Sequence, residues 1–448
     1  MMQKKYLVLL LGIVFWSCNN DDANYESLSE LDEILEKALF SASNNIGSHY
    51  YKFPDSDDFL SIPQDLNNPL STEKVYLGKM LFHETALAIN ADHTDGMGTY
   101  SCASCHHSDA GFQSGKRQGI GDGGFGFGLL GEGRVLHQSY SNETVDVQPI
   151  KSPTALNTAY QKVMLWNGQF GATGVNEGTE SQWTVGTPKE NNVLGFEGLE
   201  TQAIAGLTVH RMGMNEALAN SLDYKEYFDS AFSQVPIGER YTIKNTGLAI
   251  AAYERTLLAN KAPFQEWLNG DLNAMSDDEK KGGVLFFDKA KCYQCHNGPS
   301  LASMKFSAIG MNDLLGGDIL GNPVDDNTRK GRGGFTQNPL DNYKFKVPQL
   351  YNLKANGSYG HGASFNSIKE VIEYKNLAVK ENAIVSNNML DYYFVPLYLT
   401  EEEIMQLTLF IENSLQDNYL DRYVPESVMS GNCFPNNDSQ SQQDLGCN

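Results

Sequence analysis

Cys102-Ala-Ser-Cys105-His106 and Cys292-Tyr-Gln-Cys295-His296 decide how this chain is read. Each is a C-x-x-C-H, the spacing by which a c-type haem is attached. Two thiols add across the porphyrin vinyl groups, and the neighbouring imidazole is placed to ligate iron. The competing readings are weaker. A zinc knuckle needs two further ligands grouped nearby, and a dithiol redox site has no use for a His at the fifth position of both copies. Two covalently bound haems c are expected, attached at Cys102, Cys105, Cys292 and Cys295, with His106 and His296 as iron ligands.

The sequence around the motifs repeats once. Gly78-Lys-Met-Leu-Phe82 precedes the first and Gly282-Gly-Val-Leu-Phe286 the second. Lys151-Ser-Pro-Thr-Ala-Leu-Asn157 follows the first and Lys346-Val-Pro-Gln-Leu-Tyr-Asn352 the second. The shared order of three parts implies two copies of one haem-binding unit.

Three of the seven cysteines lie outside the motifs. Cys433 and Cys447 bracket a polar stretch, and a disulfide between them would contribute roughly 3 kcal/mol by constraining the unfolded chain. Cys18 follows Lys4, Lys5 and an apolar run from Tyr6 to Trp16, the pattern of a secretory signal over residues 1–17. A Cys at that place points to lipoprotein processing, with the lipid on Cys18 as the chain's link to a membrane, although Phe15 and Trp16 are bulky for that cleavage site. The expected location is the periplasm or the outer membrane, where haem attachment and a disulfide are chemically reasonable. The formal charge of −22 over 448 residues argues against nucleic acid and anionic membrane surfaces as partners.

Secondary structure reads as mainly α with little β. Capping boxes at Ser27-x-x-Glu30, Ser276-x-x-Glu279, Ser367-x-x-Glu370 and Thr400-x-x-Glu403 each open a predicted helix, and another runs between Thr242 and Leu258. Gly121-Asp-Gly-Gly-Phe-Gly126 matches G-x-G-x-x-G, but no strand precedes it, so a flexible loop beside the first haem is expected over 119–133 rather than a nucleotide site. Residues 430–448 read as loosely ordered. The predicted divisions are an N-terminal segment 18–65 with one amphipathic helix, a first haem domain 66–262, a second 263–425 and a disulfide-closed tail 426–448.

The ordered set of motifs resembles the bacterial diheme cytochrome c peroxidases, a family that includes the enzyme maturing the methylamine dehydrogenase quinone. Carrying the resemblance are Leu81-Phe82, Cys102 to His106, Pro153 to Asn157, Trp166-Asn-Gly-Gln169, Leu199-Glu-Thr-Gln202, Cys292 to His296, Pro348 to Asn352 and His361-Gly-Ala. It implies two cytochrome-c-like domains in tandem, a peroxidatic haem in the first and an electron-accepting haem in the second. It also implies that Glu200, by itself an ordinary helix carboxylate, is the acid–base group over the first haem. His361 would orient a propionate or shape the second pocket. The far-side ligand of the second haem falls on Lys375, with Tyr374 beside it and Met389 or Met304 as alternatives.

This chain departs from that family at several points. Asn167 and Gln169 stand where Asp and Arg are usual, and Met164 stands where relatives can carry Gln. Where the peroxidases often have a blocking His, position 122 is Asp, and no His lies between His107 and His137, so an open first haem is expected. The family's interdomain calcium uses an Asn at the place of Lys151. A cationic side chain cannot ligate calcium, which puts that ion in doubt.

The function the resemblance implies is reduction of hydrogen peroxide to water with electrons from a small donor, a cytochrome c or a cupredoxin, entering by the second haem. One alternative is an enzyme of the same fold that turns peroxide equivalents on a protein or organic substrate. The other is a non-catalytic diheme electron carrier.

Overall fold

The computed structural model describes residues 29–447, so the signal segment and Cys18 lie outside the described residues. The helices that position the site are α1 (Glu30–Ala42), α2 (Thr72–His83), α3 (Gly198–Val209), α4 (Ile243–Arg255), α5 (Asp277–Phe287), α6 (Ile368–Leu377) and α7 (Glu401–Leu409). Ser71, Thr242, Ser276, Ser367 and Thr400 each accept a hydrogen bond from the third amide of the following helix, relieving one of its unpaired donors. The predicted box at Ser27 is displaced. Ser29 caps α1, paired reciprocally with Asp32.

Among the described residues, sheet is confined to two antiparallel pairs of two-residue strands, β1 (Gly124–Phe125) with β2 (Val135–Leu136) and β3 (Phe306–Ser307) with β4 (Phe345–Lys346).

The same framework recurs in each half. α2 and α5 lead into the two C-x-x-C-H motifs, and each is crossed by a later helix at a glycine. A Cβ on Gly78 would stand 1.9 Å from the Ala249 carbonyl oxygen of α4, and one on Gly282 would stand 2.1 Å from that of Gln406 in α7. Only a bare Cα permits either crossing. Asn157 and Asn352 then close the halves alike, both with left-handed backbone (φ 60° and 54°). The Asn157 amide donates to Leu257 (2.7 Å) and its Oδ1 accepts from the Ala259 amide (2.9 Å). The Asn352 amide donates to Leu415 (3.0 Å) and its Oδ1 accepts from the Asp417 amide (3.2 Å).

One apolar core runs through both halves, from Leu77, Leu81 and Phe82 to Phe264, Phe286 and Phe410. The N-terminal helix does not stand apart. Buried Asp32 of α1 binds Lys280 of α5 (2.7 Å) and the Trp267 indole (2.8 Å), so α1 is part of the second half.

The tail beyond residue 430 and the glycine-rich loop are both more ordered than the sequence suggested. Arg134, fully buried, donates to the carbonyls of Ile120 (2.7 Å) and Gly121 (2.9 Å) and pairs with Asp438 of the tail (3.3 Å). Asp444 accepts from the Phe127 and Gly128 amides, and Ser101 and Ser104 donate to the Pro435 carbonyl. Cys433 and Cys447 are disulfide-bonded. The loop's polar backbone and a polar tail satisfy one another, which low hydrophobicity alone does not reveal.

Gly78→Ala should cost about 1–3 kcal/mol through overpacking against α4, read as a lower Tm. Gly238→Ala, where an added Cβ meets nothing within 4 Å, should leave Tm unchanged.

Candidate functional site

Each motif forms a single 3-10 turn, Cys102–Ser104 and Cys292–Gln294, after which the His amide donates to the first Cys carbonyl (3.1 Å at His106, 2.9 Å at His296). A residue in left-handed conformation then bends the chain back: Phe112 (φ 54°) and Leu301 (φ 47°). Their carbonyls meet the Nδ1 atoms of His106 (3.2 Å) and His296 (3.1 Å). A carbonyl can only accept, so Nδ1 carries the proton and Nε2 keeps its lone pair for a metal. Burial holds both imidazoles down to about 4, in the neutral form that ligates.

The thiols point the same way. None of Cys102, Cys105, Cys292 and Cys295 is in a disulfide. Burial pushes Cys105 and Cys292 up to about 12 and Cys102 higher still. A redox C-x-x-C needs the opposite shift. Among the described residues no group of three or more His, Cys, Asp or Glu could hold a metal ion, which disposes of the zinc knuckle.

Beside the second motif lies a cavity of about 730 Å³ lined by Cys292, Cys295, His296, His361, Lys375 and Met311 among others. His361 stacks on Phe345 (centroids 3.7 Å apart), and its buried Nε2 has no hydrogen-bond partner. A cavity of this size bordered by two thiols and a neutral imidazole could hold a haem, and His361, whose Nε2 lies 3.7 Å from Asp313 Oδ1, would be placed to meet one of its polar groups. Lys375 projects from α6 into this cavity. Its Nζ is 4.9 Å from the Phe394 ring centroid and has no hydrogen-bond acceptor among the described residues. Burial lowers its pKa, against the opposing pull of Cys295 and Cys292.

Tyr374 is corrected here. It faces away from the cavity, donates its hydroxyl to the Ile309 carbonyl and packs with Phe365 and Phe394. Met389 and Met304 do not line the cavity, whereas Met311, which sequence reasoning passed over, does.

Glu200 sits in a buried ion pair. Its oxygens take a bidentate pair from Arg255, at 2.8 Å from Nε and 2.7 Å from Nη2, with Asn68 Nδ2 at 3.4 Å. Both partners are fully buried. A carboxylate so engaged holds α3 to α4. The signal missed was Arg255, the last residue of α4.

Other departures resolve into local substitutions. Asn167 donates to Gln169 (3.1 Å), a neutral bond where relatives have an ion pair. Asp122 is buried under Tyr140 (2.6 Å) and Arg211 (2.6 Å). Lys151 Nζ meets the Lys116 carbonyl (3.2 Å), Asn356 Oδ1 (2.8 Å) and Ser358 Oγ (2.8 Å). Its ammonium gathers oxygens from both halves, as a bound cation would.

The comparisons agree with this geometry. The family model described as di-haem cytochrome c peroxidase matches residues 72–273. A cytochrome-c peroxidase, IdrP1, of Pseudomonas sp. (strain SCT) is 28% identical over 86% of this chain and 91% of its own length. The methylamine utilization protein MauG of Methylorubrum extorquens is 28% identical over 79% of this chain and 81% of its own. A crystal structure of a MauG-like protein associated with microbial copper homeostasis is 20% identical and superposes with a TM-score of 0.56 over 83% of this chain and 96% of its own, a likeness of fold.

Glu200→Gln should destabilise the protein by about 3–5 kcal/mol, the cost of leaving a buried arginine half-paired, seen in urea unfolding.

Proposed function

We propose that the protein reduces hydrogen peroxide to water, taking electrons singly from a small redox protein, a cytochrome c or a cupredoxin, that docks near the second haem. One peroxide takes two electrons and two protons and leaves as two waters. The observation that carries this reading is the recurrence of one cradle at both motifs, in a chain that the di-haem cytochrome c peroxidase family model matches over residues 72–273. Bound at these cradles, the haems supply the redox chemistry. The chain's part is to attach them through Cys102, Cys105, Cys292 and Cys295, orient His106 and His296 through backbone carbonyls, and bury the second group in its cavity. In this reading the protein works outside the cytoplasm, anchored by a lipid on Cys18.

The test is steady-state oxidation of a reduced cytochrome c or cupredoxin on adding peroxide. Two donor molecules should be oxidised per peroxide, and the Cys102→Ala, Cys105→Ala double variant should be inert. Peroxide-independent donor oxidation, or none, would leave only the electron-carrier reading.

Lys375 is our candidate for the second haem's other axial ligand. A nitrogen donor there, in place of a Met sulfur that raises potential, favours the more oxidised iron. That supports the second reading, in which peroxide equivalents oxidise a protein or organic substrate. Lys375→Ala should shift the near-infrared charge-transfer band of the low-spin haem. An unmoved band in Lys375→Ala together with a moved one in Met311→Ala would assign the sulfur instead.

A further inference from the structure

The two cysteine turns share a 3-10 fold but not their surroundings. In the first, Ser101 before the leading cysteine and Ala103 and Ser104 between the pair are 5%, 1% and 4% exposed. Their counterparts in the second are Lys291, which is exposed, and Tyr293 and Gln294, which are half-buried. The Gln294 carbonyl accepts from Lys305 Nζ (2.8 Å), and Lys305 is itself exposed.

The end of the chain covers the first turn. The Pro435 carbonyl accepts from Ser101 Oγ (2.9 Å) and Ser104 Oγ (3.1 Å). Asn436, fully buried, forms an antiparallel bridge with Tyr100, and the Asn437 amide donates to the Thr99 carbonyl (3.0 Å). The segment is anchored on both sides of this contact. Before it, Ser430 Oγ donates to Glu84 Oε1 (2.6 Å) and Asn432 Nδ2 to Thr85 Oγ1 (3.1 Å), just past the end of α2. After it, Asp438 pairs with Arg134, and Asp444 accepts from the Phe127 and Gly128 amides. The Cys433–Cys447 disulfide ties the two sides together.

No residue of 430–447 belongs to the main apolar core. A segment held by polar bonds across a surface, without burying apolar side chains of its own, is a cover more than a part of the folded core. What it covers matters because the thioethers fix one edge of the haem beneath the cysteine turn. For a redox protein arriving from solvent, that turn is the short path to the ring. Electron tunnelling falls steeply with distance, and a further layer of polypeptide adds about 5 Å.

We propose that residues 430–447 are a strap that occupies, on the first cysteine turn, the place a redox protein would take, and so confines protein partners to the second turn. The proposal rests on the reading that a small redox protein supplies the electrons, and it names what denies that protein the first haem. At the second turn the partner loses one electron and the ferric haem gains it, with no bond made or broken.

The probe is reduced flavodoxin, a protein reductant of low potential, mixed in excess with full-length ferric protein in about 0.5 M salt to screen the chain's negative charge. No peroxide is present. Haem reduction is followed by absorbance, with dithionite as a small reductant for comparison. The Cys102→Ala, Cys105→Ala protein, left with the second haem, should take its electron from flavodoxin as fast as wild type does. The Cys292→Ala, Cys295→Ala protein, left with the first, should react with flavodoxin more slowly by about one to three decades, the range over which association rates differ between related complexes. Dithionite should reduce both at similar rates. Adding Cys433→Ser, Cys447→Ser and Asn436→Trp to the first-haem protein removes the tie and overfills the buried place of Asn436. Hydrogen exchange at the Asn437 amide reports the release. Flavodoxin reduction should then recover by at least about tenfold, with the dithionite rate unchanged.

A first-haem protein that flavodoxin reduces at the wild-type rate with the strap in place overturns the proposal. So does a freed strap that leaves flavodoxin reduction slow. If the first-haem protein fails to keep its haem, the second-haem protein decides alone. A fall in its flavodoxin rate by about tenfold or more means that the partner had been using the first turn. A wild type that takes electrons from flavodoxin yet does not react with peroxide removes the peroxidase reading and leaves the strap standing.

Discussion

A backbone carbonyl bonded to the Nδ1 of a histidine sets everything else in this molecule. It fixes the tautomer of His106 and of His296 and turns the free nitrogen toward the place of the iron. To deliver that carbonyl, Phe112 and Leu301 must adopt left-handed backbone, a conformation of modest cost that a loop keeps only when its surroundings hold it. The helix crossings at Gly78 and Gly282 and the asparagine ties at Asn157 and Asn352 are those surroundings, built twice.

The halves differ in how they manage buried charge. The first encloses complete ion pairs, Glu200 with Arg255 and Arg134 with Asp438, each with further hydrogen bonds. The second has one such pair, Asp32 with Lys280, but sets other cationic side chains against neutral oxygens or open space, as with Lys346 on the Val163 carbonyl and Lys375 in the cavity. A buried amine without a carboxylate partner gives up its proton more readily than a paired one, and a free lone pair is what a metal ligand requires. Lys151 follows the second pattern across the halves, its amine held by three neutral oxygens and brought down to about 7 by burial.

The haem attachment points and the repeat were legible because each is local: a pentapeptide, a glycine, a capping box. Lys375 was reached by counting along one helix from His361, and the count put it in the cavity because helix geometry is regular. Tyr374 failed by the same regularity, since neighbouring residues on a helix point about 100° apart and only one can face the pocket. The Glu200–Arg255 pair was not legible because its partners are 55 residues apart, a pairing that only the packing of α3 on α4 creates. What the sequence concealed was chiefly the pairing of distant polar groups, where neither spacing nor periodicity carries information.

The tail that folds back on the first motif makes two similar cradles unequal in time. Ser101 and Ser104, which flank the first cysteine turn, rest on the carbonyl of Pro435, and Asp438 completes the setting of Arg134 inside the glycine-rich loop. All these contacts come from chain that follows the second cradle. As the polypeptide emerges from its N-terminus, the second site therefore has its residues through Asp417 in hand while the first still awaits its closure. The cradle that appears first in the sequence is the last to be finished.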